Sequence, residues 1–153
     1  MLQPYLPDCR FLDLFAGSGG IGIEALSRGA AFCCFVEQNR QALSCIRENL
    51  KFTKLEPQAQ VMGAEVLQAL ERLEGVPAFD CIFMDPPYRK ELEKKVLQRL
   101  KTASYVGDET LIVVEASLDT DFSYLEELGY QCIKEKKYKT NGHFFLRRVK
   151  GEK

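Results

Sequence analysis

The sequence predicts a doubly wound α/β fold, in which helices cover both faces of a mostly parallel sheet. Five short apolar runs alternate with five helical patterns along the chain. Such continuous apolar runs are typical of parallel strands that are buried on both faces. Two further strand-like runs close the chain around an Asn-Gly pair, which is a strong hairpin signal. We therefore expect a single domain over residues 1–153, with a seven-stranded sheet that ends in an antiparallel hairpin.

The predicted elements follow one another in a regular order. The five strand-like runs are RFLDLF, FCCFV, AQVM, DCIFM and TLIVVEA. The helical patterns cover Gly20–Arg28, Arg40–Phe52, Glu65–Leu73, Lys90–Lys101 and Phe122–Leu128. Gly29 and Gly129 follow two of these patterns at the position of a helix C-cap. The closing runs YQCIKEKKY and HFFLRRV flank the turn, which we expect at Thr140-Asn141-Gly142.

Length and composition fit an ordinary globular domain. The 153 residues suffice for one core, and 46% of them are hydrophobic and 28% charged. No apolar run approaches the roughly 20 residues that span a bilayer, and the N-terminus lacks a signal-peptide pattern. The six cysteines show no metal-binding spacing, so we expect buried free thiols, a cytoplasmic location and no metal site. His143, the single histidine, is expected on the surface or on an edge strand.

Charge is distributed unevenly along the chain, although the net charge is only −1. The segment from Ile133 to Lys153 holds eight Lys and Arg residues against two acidic residues. The rest of the chain holds 13 basic and 20 acidic residues. A basic C-terminal end can meet the phosphates of a nucleic acid, and it can equally be a solvated tail and strand edge.

The segment DLFAGSGGIG follows the first strand-like run and contains Gly17-x-Gly19-x-x-Gly22. Glycines at this point let the backbone turn tightly and approach a ligand closely. Glu37, twenty positions after Gly17, can accept two hydrogen bonds from the ribose of NAD or of S-adenosylmethionine. Asp13 places a negative charge where the pyrophosphate of NAD would lie. The loop therefore favours S-adenosylmethionine, which has no phosphate and carries an ammonium and a sulfonium.

The stretch MDPPY follows the fourth strand-like run and reaches the same edge of the predicted sheet. Its two prolines fix φ and remove two backbone donors, which leaves a stiff turn with free carbonyls. Asp85 and the carbonyl of Pro86 can then accept both hydrogens of one planar amino group, such as that of a nucleobase. Tyr88 offers a flat face for a base that has been turned out of its helix. The pattern predicts methylation of that nitrogen, with Asp85 stabilising the developing positive charge.

With both motifs placed, the chain resembles class I S-adenosylmethionine-dependent methyltransferases, and more narrowly the bacterial family that methylates guanine N2 in 16S ribosomal RNA. The resemblance runs from about Phe11 to Val149 and rests on LDLFAGSGGIGIEALSRGA, FVEQNRQA, FDCIFMDPPY and KKYKTNGHFFLRR. It implies a Rossmann-like fold and a monomer or weak dimer. It also implies ribosomal RNA as the partner, either free or within a small-subunit assembly intermediate, and no membrane.

The resemblance assigns roles to individual residues. The catalytic turn would consist of Asp85, Pro86, Pro87 and Tyr88. The S-adenosylmethionine site would consist of Asp13, Phe15, Ala16, Gly17, Ser18, Gly19, Glu37, Gln38, Asn39 and Glu65. Glu65 is the longer counterpart of an Asp that the family often places near the adenine amino group. Family members also carry a basic segment before the first strand, which we expect this chain to lack.

Three other functions remain open at this point. An adenine-N6 methyltransferase of DNA or RNA has the same turn, because DPPY is shared with adenine-N6 and cytosine-N4 enzymes. A domain without its basic N-terminal segment could bind the cofactor and be inactive. An NAD-linked oxidoreductase is disfavoured by Asp13 and by the DPPY turn.

Overall fold

The computed structural model describes residues 7–87 and 92–149, which form a seven-stranded sheet with five α-helices. The strands are β1 Arg10–Leu14, β2 Phe32–Glu37, β3 Ala59–Gly63, β4 Phe79–Met84, β5 Val106–Ser117, β6 Tyr130–Lys137 and β7 Asn141–Arg148. The helices are α1 Gly20–Ser27, α2 Arg40–Thr53, α3 Val66–Arg72, α4 Leu92–Leu100 and α5 Leu125–Leu128. All the predicted strands and helices are therefore present.

The strands lie in the order β3-β2-β1-β4-β5-β7-β6. The pairs among β1 to β5 are parallel, whereas β7 runs antiparallel to both β5 and the edge strand β6. The chain moves outward on one side of β1 and then crosses to β4 on the other side. In such sheets a ligand crevice opens at the carboxyl ends of the strands where the direction changes. That point lies between β1 and β4.

Apolar side chains are buried on both faces of the sheet, as the continuous apolar runs predict. On one face, side chains such as Leu12 and Val114 pack with residues of α3 and α4. On the other face, Phe35 and Val113 pack with residues of α1 and α2. The doubly wound prediction is confirmed, because the two cores lie on opposite sides of one sheet.

The helix ends agree in part with the sequence prediction. Gly29 and Gly129 have φ of 112° and 91°, the left-handed conformation of a C-cap glycine. Asn39 caps α2 by accepting a hydrogen bond from the Ala42 N–H at 2.9 Å.

The longest helix within the described residues, α2, has 14 residues. No helix in this part of the chain combines the length and apolar character that crossing a membrane requires.

The fifth helix is shorter than predicted, since it begins at Leu125 instead of Phe122. The preceding residues form a turn, in which the Asp121 carboxylate accepts a hydrogen bond from the Ser123 N–H at 2.9 Å. The Phe122 ring packs against Phe144 with ring centroids 4.8 Å apart. Phe122 therefore contributes to the core although it does not belong to a helix. The fourth predicted helix is present as α4, and its residues 90 and 91 lie outside the described residues.

The hairpin turn is also displaced from the predicted position. The Tyr138 N–H donates to the Asn141 carbonyl at 2.8 Å, which makes Lys139 and Thr140 the two turn residues. Asn141 and Gly142 belong to β7, so the prediction that they form the turn is wrong. A Cβ on Gly142 would lie 3.0 Å from the Lys136 carbonyl oxygen, so this glycine permits a close approach of the two strands.

Candidate active site

The glycine loop between β1 and α1 turns sharply at three positions. Phe15, Gly17 and Gly19 have φ of 58°, 59° and 89°. A positive φ is uncommon for a residue such as Phe15 and concentrates at functional sites. A Cβ on Gly17 would meet no atom within 4 Å, so the space beside this backbone is open to a ligand. A Cβ on Gly22 would lie 2.3 Å from the Phe35 ring, so that glycine allows α1 to pack on the sheet.

Glu37 joins the glycine loop to the end of β2. One carboxylate oxygen, Oε1, accepts a hydrogen bond from the Gly17 N–H at 2.8 Å. The other, Oε2, accepts one from the Asn39 N–H at 3.0 Å. An ionised carboxylate can accept about four hydrogen bonds, so each oxygen retains capacity for a ligand. Glu37 is therefore held rigidly and can still bind a ribose diol.

Asp13 lies beneath the glycine loop and is only 1% exposed. Its carboxylate accepts a hydrogen bond from the Gly22 N–H at 3.1 Å, which ties β1 to α1. Burial, the largest influence, raises the pKa of Asp13, the Gly22 hydrogen bond lowers it, and the charges of Glu37 and Asp85 raise it; together they bring it from 3.8 to about 7. Asp13 is therefore only partly ionised at neutral pH. By itself it repels a pyrophosphate less than the sequence suggested.

The raised pKa of Asp13 predicts a pH-dependent stability. Between pH 4 and 7 the folded state holds a proton that the unfolded state releases, so the free energy of unfolding falls as the pH rises. Moving the pKa from 3.8 to about 7 corresponds to at most about 4 kcal/mol. In Asp13→Asn this decline should be largely absent when urea unfolding is followed from pH 4 to 7. Parallel pH profiles of wild type and variant would contradict the prediction.

A cavity of about 260 Å³ opens beside the loop, at the carboxyl ends of β1, β2 and β4. Its lining includes the predicted residues Phe15, Glu37, Gln38, Glu65, Asp85 and Pro87. Glu65 also caps α3, because its Oε1 accepts hydrogen bonds from the Leu67 and Gln68 N–H groups at 3.1 and 3.2 Å. The expected contact of Glu65 with adenine stays a prediction. The other carboxylate oxygen, Oε2, would have to accept that hydrogen bond.

The Asp85-Pro86-Pro87 turn follows β4 and separates two cavities. The second cavity, of about 490 Å³, is lined by Pro86, Pro87 and Glu115 among others. Pro87 lines both cavities, so the two cavities adjoin at this turn. Asp85 is exposed to solvent, but the atoms packed around part of its carboxylate still raise its pKa. The charge of Glu115 also raises this pKa, and His143 lowers it. Tyr88, the predicted stacking residue, lies outside the described residues.

His143 does not occupy the surface or edge position that the sequence suggested. It is 9% exposed on β7, an interior strand between β5 and β6. Its Nε2 lies 3.1 Å from Glu115 Oε1, and its Nδ1 lies 3.3 Å from the Tyr138 hydroxyl. The sequence prediction missed Glu115, although this acid lies near the end of the fifth apolar run, as Asp85 follows the fourth. Pairing His143 with it requires the order of β5 and β7, which local sequence does not reveal.

Four carboxylates therefore stand near the carboxyl ends of four adjacent strands. Asp13 belongs to β1, Glu37 ends β2, Asp85 follows β4 and Glu115 lies near the end of β5. Within residues 7–87 and 92–149, no three or more His, Cys, Asp or Glu side chains are grouped so as to hold a metal ion. Where they are ionised, acids at this edge disfavour a pyrophosphate and favour a ligand with positive groups. Glu37 suits the ribose of either cofactor and Glu115 lines the second cavity, so the discrimination expected of Asp13 would be shared with Asp85.

The sequence of this chain is similar to those of known proteins. The family model described as Conserved hypothetical protein 95 matches residues 1–147. The Haemophilus influenzae protein named Ribosomal RNA small subunit methyltransferase D is 34% identical over 119 residues, which are 77% of this chain and 62% of that protein. The chain spans about 60% of the length of the curated relatives that it matches.

Two solved structures extend the comparison to the fold. A conserved hypothetical protein of Streptococcus pyogenes has a TM-score of 0.85 and 33% identity, and the match covers 95% of this chain and 89% of that one. The mitomycin 7-O-methyltransferase has a TM-score of 0.73 at 12% identity, over 93% of this chain and 49% of that one. The second likeness shows the fold alone. The predicted Rossmann-like methyltransferase fold is confirmed.

Proposed function

We propose that this chain, which belongs to the Conserved hypothetical protein 95 family, methylates the exocyclic N2 of a guanine in small-subunit ribosomal RNA. The name of the Haemophilus influenzae relative supports ribosomal RNA as the substrate. The observation that carries the proposal is the position of Asp85-Pro86-Pro87 between the two cavities. The amino group of a base in one cavity and the methyl group of a cofactor in the other would meet at this turn.

S-adenosylmethionine is the cofactor that fits the acidic edge. Glu37 would hold the ribose diol, since both of its oxygens are fixed and retain capacity to accept hydrogen bonds. The open backbone at Gly17 would admit the methionine part, beside Phe15, Ala16, Ser18 and Gly19. Gln38, Asn39 and Glu65 would lie on the adenine side. Asp13 would act from beneath the loop by fixing Gly22. When bound, this cofactor supplies a methyl group on a positively charged sulfur.

Asp85 and the Pro86 carbonyl would orient the guanine amino group. The lone pair of this nitrogen is delocalised into the ring, so the free amine is a poor nucleophile. Two acceptors on its N–H groups favour a more tetrahedral nitrogen whose lone pair is aimed at the methyl group. The ionised Asp85 would stabilise the positive charge that develops on the nitrogen. A strong base is unnecessary, because the methylated amine loses its proton readily.

The experiment that tests the proposed function is methyl transfer from labelled S-adenosylmethionine to 16S ribosomal RNA, both free and in small-subunit particles. After digestion to nucleosides, the label should appear in N2-methylguanosine. Label in N6-methyladenosine would support the adenine-N6 alternative instead. Cofactor binding without transfer to either form of the RNA would support the inactive domain.

The exposed lysines of the terminal hairpin are expected to contact RNA phosphates. Lys134, Lys136 and Lys139 are all exposed on β6 and the turn. Each phosphate contact contributes about one unit to the slope of log affinity against log salt concentration. Replacing the three lysines by Gln should weaken RNA binding and reduce this slope by up to about three, as measured by filter binding at several salt concentrations.

The matched control places the same number of Gln substitutions at helix ends outside the terminal hairpin. Lys51, Lys54 and Arg72 lie at the ends of α2 and α3, away from the carboxyl ends of the strands. Their replacement should leave the slope close to that of wild type. Equal losses in the two triple variants would show that net charge, and not the hairpin, determines RNA affinity.

A further inference from the structure

Glu115 lies directly beside the catalytic turn. Met84 of β4 and Val114 of β5 are paired in the parallel ladder, so Asp85 and Glu115 leave adjacent strands at the same level. Neighbouring strands are about 4.8 Å apart, which places the two acids within reach of one ligand. Glu115 also lines the 490 Å³ cavity together with Pro86 and Pro87. Any base whose amino group is bound at the turn would therefore lie near Glu115.

Two residues of β7 hold the Glu115 carboxylate in place. Asn141 Nδ2 donates a hydrogen bond to Oε2 at 2.8 Å, and His143 Nε2 lies 3.1 Å from Oε1. The Glu115 side chain nevertheless remains 26% exposed. A carboxylate can accept about four hydrogen bonds, so each of its oxygens can accept one more from the cavity. The side chain is thus both fixed and available.

His143 is itself fixed by its surroundings. Its Nδ1 lies 3.3 Å from the Tyr138 hydroxyl, and its ring meets the Phe83 ring edge to face at 6.0 Å. These contacts leave the imidazole one orientation, in which Nε2 faces Glu115. His143 is a positioning residue for Glu115, as is Asn141.

We propose that Glu115 selects guanine by accepting a hydrogen bond from its N1–H while Asp85 and Pro86 hold its N2 amino group. This inference rests on the proposed function. Guanine carries the N1–H and the N2 amino group side by side on one edge, so two adjacent acids match two adjacent donors. Adenine presents the N1 lone pair beside its amino group, and a carboxylate facing that lone pair would be repelled. Glu115 would thus distinguish guanine from adenine, whose enzymes share the DPPY turn.

The test compares guanine with 2-aminopurine at the methylated position of a synthetic RNA. The position is first mapped with wild-type protein on 16S ribosomal RNA. The analogue keeps the 2-amino group but has a lone pair at N1 in place of the N–H, and a hydrogen in place of O6. The shift of preference in the Glu115 variant, and not the wild-type ratio alone, therefore reports the N1 contact. Wild type should methylate guanine about 10- to 100-fold faster in kcat/KM, the value of one hydrogen bond to a charged group. In Glu115→Gln the preference should shift by at least about tenfold toward 2-aminopurine, because the amide can donate to its N1.

The matched control is Glu48→Gln, which removes an exposed acid on α2 and should keep the wild-type preference. S-adenosylhomocysteine binding and thermal melting report whether each variant is folded. An unchanged substrate ratio in folded Glu115→Gln would overturn the inference, whether or not the rates on both substrates fall equally. Equal rates of wild type on the two RNAs would overturn it without any variant. Absence of wild-type transfer to 16S ribosomal RNA would instead refute the proposed function, and this inference with it.

Discussion

Asp85→Ala should reduce methyl transfer by two to three orders of magnitude while S-adenosylhomocysteine affinity stays within a few-fold of wild type. The variant loses one of the two acceptors that would orient the amino group, and it loses the charge that would stabilise the developing cation. Asp85 follows β4 and lines the 260 Å³ cavity, whereas the hydrogen bonds that fix the glycine loop involve Glu37. Single-turnover methylation of the RNA with saturating cofactor measures the effect.

Two control variants define what the loss means. Asp85→Asn keeps the shape and one carbonyl acceptor but not the charge, so its rate should fall between those of wild type and Asp85→Ala. Glu48→Ala removes an exposed acid on α2 and should transfer methyl groups at the wild-type rate. Full activity in Asp85→Ala would show that the turn is not the catalytic element.

Glu37→Ala should weaken S-adenosylhomocysteine binding by about a hundredfold or more. A hydrogen bond to a charged group contributes about 1.5–3 kcal/mol, and the ribose would lose two of them. The Gly17 and Asn39 N–H groups would also lose the acceptor that orders the loop, at 2.8 and 3.0 Å in wild type. Isothermal titration calorimetry measures the affinity directly.

The control for Glu37→Ala is Glu37→Gln, which keeps one oxygen for Gly17 or for the ribose. Its affinity should lie between those of wild type and Glu37→Ala, and its thermal stability should be closer to wild type. An unchanged affinity in Glu37→Ala would mean that the cofactor ribose lies elsewhere.

Local sequence was enough for most of the fold and for the position of the glycine loop. Runs such as DCIFM are typical of strands buried on both faces, because they are apolar at nearly every position, and the alternation with helical patterns favours strands. The glycine spacing located the loop, and Glu37 lies where the ribose ligand was expected, already bonded to Gly17. These features depend on residues that are close in sequence or on the order of β and α elements.

The features that sequence missed depend on contacts between distant segments. The pairing of Glu115 with His143 exists because β7 inserts between β5 and β6, and nothing near His143 in sequence indicates this. The turn at Lys139 and Thr140 follows from the register of the hairpin, which overrides the local preference of Asn141-Gly142. The raised pKa of Asp13 follows from burial beneath the loop, which sequence does not measure.

We propose that the acidic strand edge selects a cofactor that carries positive groups and no phosphate. Calorimetric titration of the protein with S-adenosylhomocysteine, which keeps the ammonium and has no phosphate, and separately with NAD tests this selection. We expect binding of S-adenosylhomocysteine at one site and no heat of binding with NAD. Binding of NAD with equal or higher affinity would contradict the claim and assign the glycine loop to a dinucleotide.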